Sequence, residues 1–146
     1  MTDPASHDPI AFDTLSRGDS LPPVALSITE ADVLAYLDAT GEDAARWPEH
    51  VPPIMLDALM LGVLLEQAEL LPGLMHTGQE HESRRAVRIG EPITVQFTVA
   101  SNSVRSGATF AVFDAEARVG DEVVATMRAS VMAPPAGQTV ATGVTA

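Results

Sequence analysis

The 146-residue chain has no cysteine and no lysine, and its aromatic side chains amount to one tryptophan, one tyrosine and four phenylalanines. Without cysteine there can be no disulfide framework, thiolate metal site or cysteine nucleophile, which is compatible with a reducing cytoplasm, the compartment expected here. Without lysine there is no Schiff-base chemistry. All eight basic residues are arginines, and with twenty acids the formal net charge is −12. Such a chain is a poor match for a phosphate backbone, so nucleic acid is not an expected partner. The four histidines, His7, His50, His76 and His81, show no HExxH-type spacing, and no glycine-rich phosphate loop is present; no metal or nucleotide cofactor is expected. No uninterrupted apolar run reaches about 18 residues. The start, MTDPASHDPIAFD, is acidic and polar where a secretory leader is basic and then apolar, so a soluble, non-exported protein is expected.

What is present suits one domain with a substantial core. Both ends, 1–11 and 135–146, are rich in Pro, Gly, Ala and Thr, lack periodic apolar positions and are expected to be flexible, leaving 12–134 as the folded unit. SITEADVLAYLDATG reads as a short amphipathic helix, with Thr29 as N-cap, Asp32 at the third helical position, Gly41 as the stop, and Val33, Leu34, Tyr36 and Leu37 as its apolar face. A second helix starts at the Pro52-Pro53 pair and is expected to run to Pro72-Gly73. Its apolar residues, Ile54, Met55, Leu56, Leu59, Met60, Leu61, Val63, Leu64 and Leu65, cover almost the whole circumference and predict burial on most sides. Beyond Gly73 the period changes to two. ITVQFTV, TFAVFDAEARV and EVVATMRASVMA alternate as strands, separated by turn signals at Ile89-Gly90-Glu91, Arg105-Ser106-Gly107 and Val119-Gly120-Asp121. MHTGQEHESRRAV is polar and reads as a strand only by context.

An apolar helix followed by three or four long antiparallel strands predicts an α+β single domain of hot-dog architecture, a curved antiparallel sheet wrapped around one long buried helix. From the helix onward the chain resembles the MaoC-like hydratase and dehydratase family. The resemblance rests on VPPIMLDALMLG, RRAVRIGEPITVQFTV and GDEVVATMRASVMAP, in that order and spacing, and covers roughly residues 12–134. It implies reversible, (R)-specific addition of water to a trans-2-enoyl thioester, with coenzyme A or the phosphopantetheine arm of an acyl carrier protein as part of the substrate and no separate cofactor. The family's chemistry needs a carboxylate and an imidazole about one water, with backbone N–H groups at the buried helix's N-terminus holding the thioester oxygen.

The family's loop motif, Gly-Asp-x-Asn-Pro-x-His, is degenerate in this chain. Gly41-Glu42-Asp43-Ala44-Ala45-Arg46-Trp47 places Glu42 at the Asp position and Trp47 at the imidazole position. GEDAARW is more similar to the partner subunits of heterodimeric (3R)-hydroxyacyl dehydratases, which implies a homodimer or a heterodimer with a homologous hot-dog subunit. Asp43 and His50 could rebuild a dyad, or be solvated loop residues; Glu42 has the same two readings. Trp47 is expected to plug the pocket mouth, since indole only donates. Asp57 in the first turns of the apolar helix either caps that helix or serves as the acid of a thioesterase-like site. Arg84, Arg85 and Arg88 could bind carrier phosphates or be ordinary paired arginines, and strand alternation would send Arg84 and Arg85 to opposite faces. His76 and His81 are expected on the strand surface, near a subunit boundary. The functional readings are a hydro-lyase-type enzyme with displaced acid/base residues, a non-catalytic acyl-binding subunit, a hot-dog thioesterase using Asp57, and a pocket repurposed for a step such as cyclisation.

Overall fold

The computed structural model describes residues 8–69 and 71–135. The expected flexible ends therefore fall largely outside the described residues. Helix α1, Glu30–Thr40, begins as its sequence dictates. Thr29 Oγ1 accepts from the Asp32 N–H at 3.1 Å and Asp32 Oδ2 accepts from the Thr29 N–H at 2.9 Å, a reciprocal box that satisfies two donors left over by helix geometry. Those bonds, the backbone N–H of Thr29 foremost, hold the Asp32 carboxyl below its ordinary range. Gly41 closes the helix with φ 73°, a left-handed conformation that costs glycine little. Val33 and Leu37 are buried as expected, but Leu34 is 49% exposed.

Helix α2, Pro53–Gln67, starts at the proline pair with Pro52 as N-cap, and it stops five residues short of Pro72. The reason is a contact from far along the chain. Ile10 donates to Gln67 O at 2.8 Å and accepts from the Glu69 N–H at 2.9 Å, so the backbone at Ala68 turns extended (φ −99°, ψ 139°) to run alongside it. The expectation of burial on most sides is also corrected. Met55, Leu56, Met60, Val63 and Leu64 are buried, whereas Ile54 is 65% exposed and Leu59 and Leu65 are over a third exposed. Ile54, Ala58, Leu61 and Leu65, at helical spacing, form an apolar stripe of which Ile54, Ala58 and Leu65 are exposed and Leu61 is partly buried against the core. No helix among the described residues is long and apolar enough to cross a membrane.

Five antiparallel strands form the sheet in the order β1-β5-β6-β7-β3. They are β1 Val24–Ser27, β3 Met75–Ser83, β5 Pro92–Arg105, β6 Ala108–Val119 and β7 Glu122–Ala133; a two-residue pair, β2 His50–Val51 with β4 Val87–Arg88, stands apart. Strand β1 was not expected; it extends the sheet by pairing Leu26 with Ile93 and Val24 with Val95. The β5–β6 hairpin turns at Ser106 (φ 50°) and Gly107 (φ 81°), two successive positive φ values that match the right-handed strand twist. Alternation puts Val95, Phe97 and Val99 of β5, Phe113, Ala115 and Ala117 of β6, and Ala125, Met127 and Ala129 of β7 against α2, all of them buried. Phe12 meets Phe113 edge-on, with ring centroids 5.6 Å apart, and Asn102 Nδ2 donates to Phe12 O and Leu15 O at 2.8 and 2.9 Å, strapping the N-terminal segment to the sheet. The polar strand β3 is an edge, paired only with β7 among the described residues.

Candidate functional site

The loop that carries the degenerate motif does not assemble a dyad in the protein. Asp43 is exposed, and its Oδ1 accepts from the Ala45 N–H at 3.0 Å, capping the 3-10 turn Ala44–Arg46. Glu42 is exposed just after α1, its N–H bonded to Leu37 O. Trp47 is half-buried and packs against the hydrophobic core. His50 sits on β2, half-buried, with Arg88 as its register partner across to β4. No hydrogen bond or ion pair joins Asp43 to His50 among the described residues.

The arginines divide in a similar way. Arg84 and Arg85 lie in the bend between β3 and β4, so strand alternation does not govern them. Arg84 Nε is 3.0 Å from Glu82 Oε1 at the surface. Arg85 is held by two acids, 3.1 Å from Glu91 Oε2 and 3.0 Å from Glu122 Oε2, and also donates to Ala86 O. Its hydrogen bond, helped by the Arg88 backbone N–H, lowers the Glu91 carboxyl below its usual range. Arg88 alone of the three has a side chain without a hydrogen bond or ion pair among the described residues.

The chain does bring a carboxylate and an imidazole together, at a different place. Asp57 projects from the second turn of α2 toward β3, where Gln79 Nε2 donates to its Oδ2 at 2.5 Å and His81 Nδ1 lies 3.1 Å from its Oδ1. The Asp57 side chain is 16% exposed and that of His81 12%. His81 is thus not a strand-surface residue as the sequence suggested, whereas His76 is exposed. Pairing with β7 sets Gln79 opposite Ala129 and His81 opposite Met127, both core residues, so the two polar side chains face the helix. The His81 ring N–H is not aimed squarely at Oδ1, and Asp57 Oδ1, Gln79 Oε1 and both His81 ring nitrogens have no hydrogen-bond partner in the protein. Four such atoms in one place are unusual, since buried polar groups are nearly always satisfied.

Two depressions flank this region. The larger, about 410 Å³, lies on the outer face of the sheet over Glu80, Glu82, Asp114, Glu116, Thr126 and Arg128. Most of its lining is charged, including the Arg128–Asp114 ion pair at 2.7 Å, with Ala115 and Met127 as its apolar residues and His81 at its border. The other, about 360 Å³, is walled by Leu61, Leu65, Leu71, Leu74 and Val131, with Gly73 and His76. Leu61 is one helical turn beyond Asp57, about 6 Å along α2, while Asp57, Gln79 and His81 themselves do not line this groove. Among the described residues no three His, Asp or Glu side chains converge as a metal site.

No protein-family model matches the chain and no curated protein sequence matches it. Solved structures do. A monoamine oxidase regulatory protein from Archaeoglobus fulgidus superposes with a TM-score of 0.73 at 15% identity, over 89% of this chain and 97% of that one. The (R)-hydratase from A. caviae involved in PHA biosynthesis gives 0.66 at 21% identity, over 83% and 98%. A chain of the HadBC (3R-hydroxyacyl-ACP dehydratase) complex from Mycobacterium tuberculosis gives 0.67 at 18%, over 82% and 98%. Likeness at these identities lies in the backbone: the chain is a single hot-dog domain, built on the same plan as these hydratases and dehydratases.

Proposed function

We propose that this chain acts on acyl thioesters as a MaoC-like hydro-lyase, adding water to an enoyl thioester or removing it from an (R)-3-hydroxyacyl thioester, with the reaction centred beside Asp57. The observation that carries this reading is the placement of Asp57, a largely buried carboxylate on a mostly apolar helix, against Gln79 and His81 and one helical turn from Leu61 in the wall of an apolar groove. Three features support it. The fold is one that hydratases and dehydratases use. The first turn of α2 has Pro52 as N-cap and no side-chain cap, so its N–H groups are left for an oxygen that gains negative charge. Arg88, whose side chain has no hydrogen bond or ion pair among the described residues, would meet the phosphates of coenzyme A or of a carrier's phosphopantetheine. Purified protein should hydrate crotonyl-coenzyme A, followed as loss of the enoyl absorbance, and Asp57→Asn should slow it by about 10²-fold or more. Release of free thiol without hydration would favour a thioesterase; binding without turnover would favour an acyl-binding subunit.

The largely exposed apolar stripe of α2 and the edge of β3, which pairs only with β7 among the described residues, favour a second reading, that the site is completed by another hot-dog subunit, identical or homologous. Light scattering at micromolar concentration should give a dimer mass for the chain alone or for the chain mixed with a dyad-bearing homologue, and Leu65→Glu should return it to monomer. Monomers in every mixture would end that reading.

A further inference from the structure

The imidazole at Asp57 belongs to none of the sequence motifs, and its surroundings assign it a task. We propose that Gln79, Asp57 and His81 form a relay in which His81 Nε2 carries the proton during hydration of an enoyl thioester. The inference rests on the functional reading above and names the groups that would carry it out.

Each atom of the relay has a distinct environment. Asp57 Oδ2 is occupied by the Gln79 amide at 2.5 Å, which turns the other oxygen, Oδ1, toward His81 Nδ1 at 3.1 Å. A carboxylate on that side favours the tautomer with its proton on Nδ1, and so leaves the lone pair on Nε2. Nε2 is buried and has no partner in the protein. The loose alignment of the Nδ1 contact is common in substrate-free sites, where such pairs tighten only once the reactant is bound. The arrangement follows from the chain: Gln79 and His81 are two residues apart on β3, so both face α2, while Glu80 and Glu82 between and after them face outward.

In the forward step Nε2 takes a proton from water as the oxygen bonds to C3. The C2–C3 π pair moves toward C1, and the carbonyl pair onto the thioester oxygen. The imidazolium then returns its proton to C2 as the enolate collapses, so one water is added and the ring ends neutral. The Asp57 carboxylate stabilises the transient imidazolium. It and Gln79 are positioning residues, and His81 is the catalytic residue. Dehydration runs the same path in reverse.

The test combines kinetics with a measurement that needs no turnover. His81→Gln should lower kcat on crotonyl-coenzyme A by about 10²-fold or more while the affinity for butyryl-coenzyme A, an unreactive analogue, changes less than about threefold. His81→Ala should regain part of its rate on addition of free imidazole, and Gln79→Leu should lower kcat about tenfold with little change in KM. Nitrogen NMR of the wild-type ring should find Nδ1 protonated and Nε2 bare, with that preference lost in Asp57→Asn. An unchanged kcat in His81→Gln, with an active wild type, overturns the relay and leaves the hydro-lyase reading standing. If the wild type hydrates nothing, the hydro-lyase reading falls, and a ring found with its proton on Nε2 overturns the relay independently.

Discussion

A chain carrying Asp57→Leu, Gln79→Leu and His81→Leu together is expected to lose its thioester turnover, by about 10²-fold or more, and to melt at a higher temperature than the wild type. The two effects share one cause. Burying a donor or acceptor without a partner costs about 1–3 kcal/mol, whereas replacing both partners with apolar groups is neutral or stabilising. Four atoms of the Asp57–Gln79–His81 cluster are in that condition. A gain of about 1–3 kcal/mol raises Tm by roughly 2–4 °C per kcal/mol in a domain of this size. Thermal unfolding by circular dichroism and the crotonyl-coenzyme A assay read the two quantities. A lower Tm with full turnover retained would mean that the cluster is neither costly nor catalytic.

Phe113→Ala should bring the largest loss of stability. The ring is fully buried in the middle of β6, where it faces α2 and takes Phe12 edge-on. Truncating such a side chain costs about 3–5 kcal/mol, and the aromatic pair adds about 0.5–1.5. Against a total of about 5–15 kcal/mol, that is roughly a quarter or more of what holds the domain together. Urea unfolding should show a fall in midpoint with little change in slope. Phe12→Leu should cost less, about 1 kcal/mol, because it removes the edge contact and keeps the burial. A loss below about 1 kcal/mol for Phe113→Ala would contradict the packing described for the strap.

The elements that were legible in the sequence are those whose cause is local. Thr29, Asp32 and Gly41 define α1 within a dozen residues, and the three turns that separate the long strands are marked by glycine. What was not legible depends on distant partners. The stop of α2 at Gln67 is imposed by Ile10, and β1 is a strand because β5 lies open beside it. The site divides in the same way. Asp57 stood out as an acid in an apolar run, but its partners sit 22 and 24 residues on. A signal for them was present: in GQEHESR the charged residues Glu80, Glu82 and Arg84 alternate with the neutral polar residues Gln79, His81 and Ser83, which is how a strand reads when one face is wet and the other meets a helix. The loop motif, by contrast, drew attention to Asp43, whose carboxylate is engaged by its own turn.

The acids on the outer face of β3 also bear on which chains can meet. Two copies pairing antiparallel along this edge, centred on Glu80 or His81, would set glutamate against glutamate across the new seam, an arrangement that directly opposed strands disfavour. The repulsion is between solvated charges, so it is felt over about 10 Å in 0.1 M salt and shrinks to about 3 Å in 1 M. Ionic strength thus acts as a selector at this edge: dilute buffer discourages like copies, concentrated salt tolerates them, and a relative with basic residues at the facing positions is admitted in either.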